Sequence, residues 1–361
     1  MNQKLPSSQE TSDVKIDVRS FSSPDWYLRD VDLRTLDAQM VPMSRETYRQ
    51  TSFLDSRTVT LDGRVFHVSL PKLTQAAKDI GLGHRRVNYV FHSAFCGSTL
   101  MSRCLDLPGQ SFSYREPSVI HRYAWYSRQP HRLAENFVDR AIGDQILDVS
   151  LRFLSRTYEA GETPLIKPSD ACNNLVEPLL SFDPGSKALL MYSRIEDFLV
   201  AVLKGPGRRQ FIRECLGRAR FDAARLDKLS GINPDQLSDA CAAAYVWIVQ
   251  LTLFRDLLRS GPERIRSLHS AELFSNPADV LESVGAFFGV EIAHEQASHV
   301  ATQVLARDSK FPGKPFDRTS YEAKQQELSR QFADEIKAGI EWASNVTDDD
   351  PIPGTLPCSV V

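Results

Sequence analysis

The fold is decided by residues 88–106, which read NYVFH-SAFCGST-LMSRCLD. A short run rich in aromatic residues, typical of a strand, leads into a loop of small residues that contains Gly97, and a helix follows for which Ser98 or Thr99 is a good N-cap. A strand, a tight loop and a helix N-terminus direct unpaired backbone N–H groups and the helix dipole to one point. Ser98 stands where a nucleotide-triphosphate loop carries lysine. The segment therefore predicts a site for phosphate or sulfate without the usual loop cation.

Strands and helices alternate from residue 87 onward, which predicts a doubly wound α/β domain. Residues 187–193 are apolar on both faces, as expected for a central parallel strand. Ligands of such sheets bind at the carboxyl ends of the strands. The predicted strands are 87–92, 111–114, 164–167, 187–193 and 264–269, and the predicted helices are 98–106, 134–159, 171–181, 196–204, 208–228 and 235–259.

The predicted organisation has four parts. Residues 1–15 and 344–361 are polar or rich in proline and predict flexible tails. Residues 16–84 predict a small α+β preface, in which Asp62-Gly63 lies between two alternating runs and is a strong hairpin signal. Residues 85–343 form the main domain.

Composition excludes several classes of function. The 361 residues carry a net charge of −3, so no overall positive field favours nucleic acid or an anionic membrane. No secretory signal and no apolar run of membrane-spanning length are evident. The six cysteines are scattered without metal-ligand spacing. We therefore expect a cytoplasmic protein with free thiols and no metal site; its oligomeric state stays open.

Charged residues follow the predicted strands. Glu116 follows the second strand, the third ends in Lys167, and the fourth ends in Ser193-Arg194. A magnesium-dependent nucleotide hydrolase is expected to offer an aspartate near such a strand end, whereas this chain offers arginine. The pattern predicts an anionic ligand held by protein cations.

Over about residues 87–290 the chain resembles the sulfotransferases that use 3′-phosphoadenosine 5′-phosphosulfate (PAPS). Residues 95–101 (FCGSTLM) are similar to the family's phosphosulfate loop, a basic residue followed by S-G-T-T-L-L. Residues 193–197 (SRIED) are similar to its strand-R-[DN]-P element. Residues 266–277 and 287–290 are similar to its late strand, L-x-x-[DN]-P turn and F-L-G-[VL] helix end.

The resemblance implies a P-loop-type three-layer fold with a central parallel sheet, and transfer of a sulfuryl group from PAPS to a hydroxyl or amine acceptor without a metal. It implies that Arg194 binds the 3′-phosphate. The protein-tyrosine branch of the family further implies Glu116 as the base and Lys167 as an electrostatic stabiliser. The implied contacts to the 5′ side of the donor are Ser93, Phe95, Cys96, Gly97, Ser98, Thr99 and Leu100.

The chain departs from the family at three positions. Phe95 replaces the basic residue of the loop, Val202 replaces a serine that binds the 3′-phosphate, and Ala271 replaces a glutamate. Arg103 or Lys167 are candidates to compensate for the missing cation, Arg103 being the poorer by helix geometry. Residues 307–310 or 313–314 are candidates for the family's C-terminal Arg-Lys-Gly element.

Other interpretations stay open at this point. One is a non-catalytic nucleotide-binding or interaction module on the same fold, and a less favoured one is a P-loop phosphotransferase. Cys96 with His92 as its base is a further candidate for a nucleophile, although a structural role at the strand end is favoured for His92. A cysteine phosphatase is disfavoured, because Arg103 lies one position too late for the C-x₅-R spacing. The basic stretch 208–228 predicts either a solvated helix or a lid over the nucleotide or acceptor.

Overall fold

The N-terminal part folds into an antiparallel sheet of the strands β1 (Trp26–Val31), β2 (Asp37–Pro42) and β3 (Phe66–Ser69), in that order. The computed structural model describes residues 18–361 except 56, 59–62, 129–139, 262 and 311–312. The turn predicted at Asp62-Gly63 falls largely outside the described residues. The strand that follows it, β3, pairs with β2.

The main sheet is fully parallel, in the order β5-β6-β4-β7-β8. The chain leaves β4 toward β5 on one side and leaves β6 toward β7 on the other. The connections therefore diverge beside β4, which is where ligands bind in open α/β sheets. The strands are β4 (Asn88–His92), β5 (Ser111–Arg115), β6 (Thr163–Lys167), β7 (Ala188–Tyr192) and β8 (Ile265–His269).

Helices cover both faces of this sheet. The α-helices of the described residues are α1 (Arg45–Gln50), α2 (Leu70–Asp79), α3 (Ser98–Cys104), α4 (Ser118–Arg128), α5 (Arg140–Leu154), α6 (Val176–Leu180), α7 (Ile195–Leu203), α8 (Pro206–Ala223), α9 (Asp239–Ser260), α10 (Ser270–Ser275), α11 (Pro277–Phe288), α12 (His294–Leu305), α13 (Arg318–Gln331) and α14 (Ala333–Val346). Short 3₁₀ turns lie at Val18–Ser22, Asp170–Leu175, Asp227–Leu229 and Pro234–Gln236.

Alternate residues of the central strands enter two separate hydrophobic cores. In β4, Tyr89 and Phe91 belong to one core and Val90 to the other. In β7, Leu190 lies in the first core and Leu189 in the second. Because successive side chains of a strand point to opposite faces, the sheet is the middle of three layers. The predicted α/β fold with a central parallel sheet is confirmed.

The predicted strands agree with the observed ones to within a residue at each end. The predicted helix 134–159 lies partly outside the described residues, and its described part is α5, which ends at Leu154. The predicted helix 171–181 is a 3₁₀ turn followed by α6. The predicted helices did not include α1, α2, α4 or α10–α14.

Helix α9 passes the length and hydropathy test for a membrane span, which the sequence analysis had not expected of any segment. In its apolar window 83% of the residues are buried inside the protein. This burial is what a central core helix requires, because such a helix is apolar on all sides.

The C-terminal segment differs from the expected flexible tail. Val346 still belongs to α14, and residues 358–360 lie along the outer edge of β8. Ser359 forms a parallel bridge with Ser267, and the backbone N–H of Val360 donates to Ser267 O at 3.0 Å. Leu356 is buried. The segment thus covers a sheet edge that would otherwise present unpaired backbone groups.

The N-terminal part is joined to the main sheet through Arg115 at the end of β5. Its buried guanidinium donates to Tyr48 O and to Thr51 O, the latter at 3.1 Å, and lies 3.5 Å from a carboxylate oxygen of the buried Asp106. The ring of Tyr48 packs edge-on against those of Phe112 and Tyr114. Arg115 thus satisfies carbonyl groups at the C-terminal end of α1, which have no partner within the helix.

We expect Arg115→Met to destabilise the protein by about 3–5 kcal/mol, because it leaves a buried carboxylate and two buried carbonyls without their donor. Urea unfolding at pH 7 measures the change. Arg140→Met is the matched control: its side chain is 91% exposed, so we expect a change within about 0.5 kcal/mol. Equal changes in the two variants would contradict the role given to Arg115.

Candidate functional site

The loop between β4 and α3 has an unusual backbone. Ala94 and Phe95 adopt left-handed conformations with φ of 61° and 52°, and Gly97 does so with φ of 79°. A Cβ atom at Gly97 would also lie 3.2 Å from the ring of Phe274, so both conformation and space favour glycine there. Glu116, at the end of β5, has a φ of 53°. Such strained non-glycine residues often cluster at functional sites.

Cys96 and Leu100 of the predicted donor-binding loop point away from solvent into the second hydrophobic core. Burial raises the pKa of the Cys96 thiol to about 11, and its Sγ lies 3.4 Å from Met191 O. Only the backbone of these two residues can face a ligand. A buried protonated thiol is a poor nucleophile, which argues against the Cys96–His92 interpretation.

Three predicted strand ends meet in one polar cluster. Lys167 Nζ lies 2.5 Å from Glu116 Oε1 and 2.9 Å from His92 Nε2. The Lys167 side chain is 1% exposed, while that of Glu116 is 16% exposed. The buried ammonium thus has a carboxylate and an imidazole as partners, and the carboxylate forms the solvent-facing side of the cluster.

His92 is neutral at pH 7. Burial, and after it the charge of Lys167, lower the pKa of His92 well below its ordinary value. Its Nδ1 lies 3.1 Å from the backbone nitrogen of Ala94, and its Nε2 faces Lys167. A neutral imidazole accepts a hydrogen bond at only one of these two nitrogens. The backbone carbonyl of His92 accepts Asn173 Nδ2 at 3.0 Å. The histidine therefore lies between the strained loop and Lys167.

A second ion pair lies beside the cluster. Arg218, from α8, donates to the carboxylate of Asp170. Burial raises the pKa of Asp170, but the charges of Arg218 and Lys167 outweigh burial and hold that pKa below its usual range. Asp170 therefore remains charged and is neutralised by Arg218.

Two buried hydroxyls mark the space between β4 and β7. Ser93 and Ser193 are 0% and 2% exposed, and neither Oγ has a hydrogen-bond partner among the described residues. Such unpaired buried groups are uncommon and call for an explanation such as a bound ligand or water. The next residue, Arg194, is the N-cap of α7, and its side chain is 60% exposed, 4.0 Å from Asp197. It is therefore accessible to an anion at this edge of the sheet.

The remaining family positions have different surroundings. Ser98 and Thr99 are buried in the first turn of α3. Val202 lies fully buried in the first core and so does not face a ligand. The backbone N–H of Ala271 donates to His269 Nδ1 at 3.2 Å.

The ring of Phe95 lies in an aromatic cluster with Phe198 and Phe211, at centroid distances of 5.8 and 5.7 Å. Two cations lie over it: Arg208 Cζ is 4.7 Å and Lys310 Nζ 6.0 Å from the ring centroid. The sequence analysis mentioned both segments but did not predict that they meet at Phe95. No sequence signal pairs them, because more than a hundred residues of chain separate Phe95 from Arg208.

Arg103, the poorer candidate for the missing loop cation, is held by structural contacts. Its three guanidinium nitrogens donate to Ser309 O at 2.8 Å, Arg49 O at 2.6 Å and Ser52 Oγ at 2.9 Å. It therefore connects α1, α3 and the 307–310 segment.

The basic stretch 208–228 divides between two environments. Arg208 and Arg218 face the site, whereas Arg209 and Arg213 pair with Asp239, the first residue of α9. Neither the solvated-helix nor the lid interpretation describes the whole helix. Within the described ranges, no group of three or more His, Cys, Asp or Glu side chains is arranged to hold a metal ion.

Neither protein-family models nor curated proteins match this chain. Several solved structures, by contrast, match this chain. A sulfotransferase domain from the curacin biosynthetic pathway is 12% identical over 75% of this chain and 100% of that chain, with a TM-score of 0.42. Sulfotransferase STF9 from Mycobacterium avium is 14% identical over 73% of this chain and 80% of that chain, with a TM-score of 0.40.

A third match is retinol dehydratase in complex with androsterone and the inactive cofactor PAP. It is 12% identical over 80% of this chain and 88% of that chain, with a TM-score of 0.32. The first two structures belong to the family that the sequence resembles. At such low identities and TM-scores, the matches carry no information on the activity, donor or acceptor of this chain.

We expect the neutrality of His92 to make stability depend on pH. In the unfolded chain a histidine takes up a proton near pH 6.5, whereas folded His92 does so only at a much lower pH. As the pH falls below 6.5, the unfolded state binds more protons than the folded state. The free energy of unfolding therefore falls by up to about 1.4 kcal/mol per pH unit because of this group.

Urea unfolding of the wild type and His92→Gln between pH 5 and 8 tests this expectation. The free energy of unfolding of the wild type should exceed that of His92→Gln by the largest amount above pH 6.5, and this difference should shrink below pH 6.5. The other histidines are common to both proteins, so their contributions cancel. Parallel stability curves would contradict a neutral His92.

Proposed function

We propose that this protein transfers a sulfuryl group from PAPS to a hydroxyl or amine acceptor. The observation that carries the proposal is the Glu116–Lys167 pair, 2.5 Å apart, at the end of the sheet beside the strained loop 93–97. A carboxylate that is open to solvent on one side and bound to a buried ammonium on the other suits a reaction that moves a proton while negative charge develops.

The roles follow from the chemistry of the transfer. The acceptor oxygen or nitrogen forms a bond to sulfur, the bond from sulfur to the bridging oxygen of the 5′-phosphate breaks, and adenosine 3′,5′-bisphosphate leaves. Glu116 takes the proton that the acceptor loses. Lys167 stabilises negative charge on the transferring group and the departing phosphate.

The donor is held by groups around β4 and β7. Backbone N–H groups of residues 93–99 and the unpaired hydroxyls of Ser93 and Ser193 are available to oxygens on the 5′ side. The exposed guanidinium of Arg194 is available to the 3′-phosphate, since arginine suits bidentate contacts to phosphate. Cys96 and Leu100 contribute through their backbone alone.

Phosphoryl transfer is a poorer fit to these side chains. The loop has serine at 98 where such enzymes carry lysine, and β7 is followed by Ser193-Arg194 rather than by an aspartate. Asp170, at the end of β6, is already neutralised by Arg218.

We expect adenosine 3′,5′-bisphosphate to raise the melting temperature by a few degrees and ATP with magnesium to leave it unchanged. A ligand at a hundred times its dissociation constant adds about 2.7 kcal/mol to stability. Arg194→Ala should weaken binding of the bisphosphate but not of 5′-AMP, which lacks the 3′-phosphate. A shift with magnesium-ATP alone would instead favour the phosphotransferase interpretation.

We expect Glu116→Gln to lower the rate of sulfate transfer by about 10²- to 10⁴-fold, the usual contribution of a general base, with little change in nucleotide binding. Glu177→Gln, an exposed glutamate on α6, is the matched control and should keep full activity. Radiolabelled PAPS with a panel of hydroxyl and amine acceptors measures turnover. Tight nucleotide binding with no transfer to any acceptor would favour a non-catalytic module.

A further inference from the structure

An excess of positive charge surrounds the loop 93–97. Glu116 is paired with Lys167, and Asp170 is paired with Arg218, while His92 is neutral. Two further cations, Arg208 and Lys310, lie over the ring of Phe95. The pairs cancel within themselves. The nearby Lys204 offsets the carboxylate of Asp308, which accepts the backbone N–H of Lys310, so Arg208 and Lys310 leave the region positive. Like charges brought together in this way are costly unless an anion binds between them.

Lys310 comes to the site at the tip of a loop that is closed on itself. Arg307 and Pro315 form an antiparallel bridge, and the backbone N–H of Asp308 donates to Lys314 O at 2.9 Å. The backbone N–H of Lys310 donates to Asp308 Oδ1 at 2.8 Å. These contacts restrict residues 308–310, the part of the tip that the structure describes.

The same tip is bound to the rest of the protein. Ser309 O accepts Arg103 Nε at 2.8 Å, and Lys310 O accepts Ser52 Oγ at 2.7 Å. Arg103 lies on α3, the helix that directly follows the loop 93–97. The backbone of Lys310 is therefore held in position relative to that loop.

The ammonium of Lys310 contacts aromatic rings and remains open to a ligand. Its Nζ lies 5.8 Å from the ring centroid of Phe53 and 6.0 Å from that of Phe95. No described residue forms a hydrogen bond or ion pair with Nζ. Partial desolvation, together with the charges of Arg208 and Lys167, lowers the pKa of Lys310, and Glu116 opposes this effect. Lys310 is thus close enough to the Glu116–Lys167 pair for their charges to affect it.

We propose that Lys310 binds the sulfate or phosphate group on the 5′ side of the nucleotide, in place of the cation that the loop lacks at Phe95. The inference rests on the proposed function. The ring of Phe95 does not provide a positive charge itself, but it attracts the ammonium of Lys310, since a cation over an aromatic face is attracted to the ring. Arg103 is a positioning residue, because its own nitrogens are occupied and it acts through Ser309.

The test is nucleotide affinity, measured by isothermal titration calorimetry with adenosine 3′,5′-bisphosphate. We expect Lys310→Met to bind the bisphosphate about ten- to a hundred-fold more weakly than the wild type, as for loss of a hydrogen bond between charged groups. Lys310→Arg should recover most of that loss. Lys324→Met, which removes an exposed lysine paired with Glu327 on α13, should bind normally.

A second readout separates binding from a purely structural role. Increasing salt should lower the affinity of the wild type for the bisphosphate more steeply than that of Lys310→Met, because the variant has lost one charge that contacts the anion. A lower melting temperature of Lys310→Met without ligand, at unchanged affinity, would mean that Lys310 only holds the loop 307–315 in place and would overturn the inference.

The two proposals can fail separately. If the wild type binds the bisphosphate and Lys310→Met binds it equally well, the inference about Lys310 is wrong and the proposed function stands. If the wild type does not bind the bisphosphate at all, both proposals fall. If binding depends on Lys310 but no acceptor is sulfated, Lys310 keeps its role in anion binding and only the transfer is lost.

Discussion

A buried ammonium at the end of β6 is the constraint on which the arrangement of the site depends. Lys167 is 1% exposed, and a charge at such depth is tolerated only when it is paired and hydrogen-bonded. Glu116 provides the opposite charge from β5, and His92 provides a neutral partner from β4. The parallel strands β4, β5 and β6 bring these three residues to the same edge of the sheet. Burial and the charge of Lys167 keep His92 neutral, and its Nδ1 lies beside the backbone of Ala94 in the strained loop.

The N-terminal part is more than an addition to the main sheet. The C-terminal end of α1 and the residues after it provide the carbonyls that receive Arg115 and Arg103. Arg115 fixes that segment to β5, and Arg103 connects it to α3 and to Ser309. In this way the N-terminal part helps to hold the backbone of residues 309–310, and Ser52 contributes directly by donating to Lys310 O. Helix C-termini favour such arginine contacts, because their last carbonyls lack partners within the helix.

Much of the fold could be predicted from the sequence, because parallel strands that are buried on both faces have a strong local signature. The segment 187–193 is an example, and β7 occupies Ala188–Tyr192. Helix α4 was not predicted, and residues 344–361 were expected to be flexible, although α14 continues to Val346 and Leu356 is buried. Composition alone does not reveal a packed tail, since the apolar side chains that hold it are few.

The sequence by itself determined the order of the central strands along the chain, the loop at Gly97 and the charged residues that follow the strands, because each of these depends on local residue pattern. Only the tertiary structure decided which of those charges meet. It pairs Glu116 with Lys167 and His92, turns Cys96 and Leu100 into the core, and brings Arg208 and Lys310 over Phe95. Those contacts join residues far apart in the chain, and their geometry follows from strand order and helix packing rather than from any local signal.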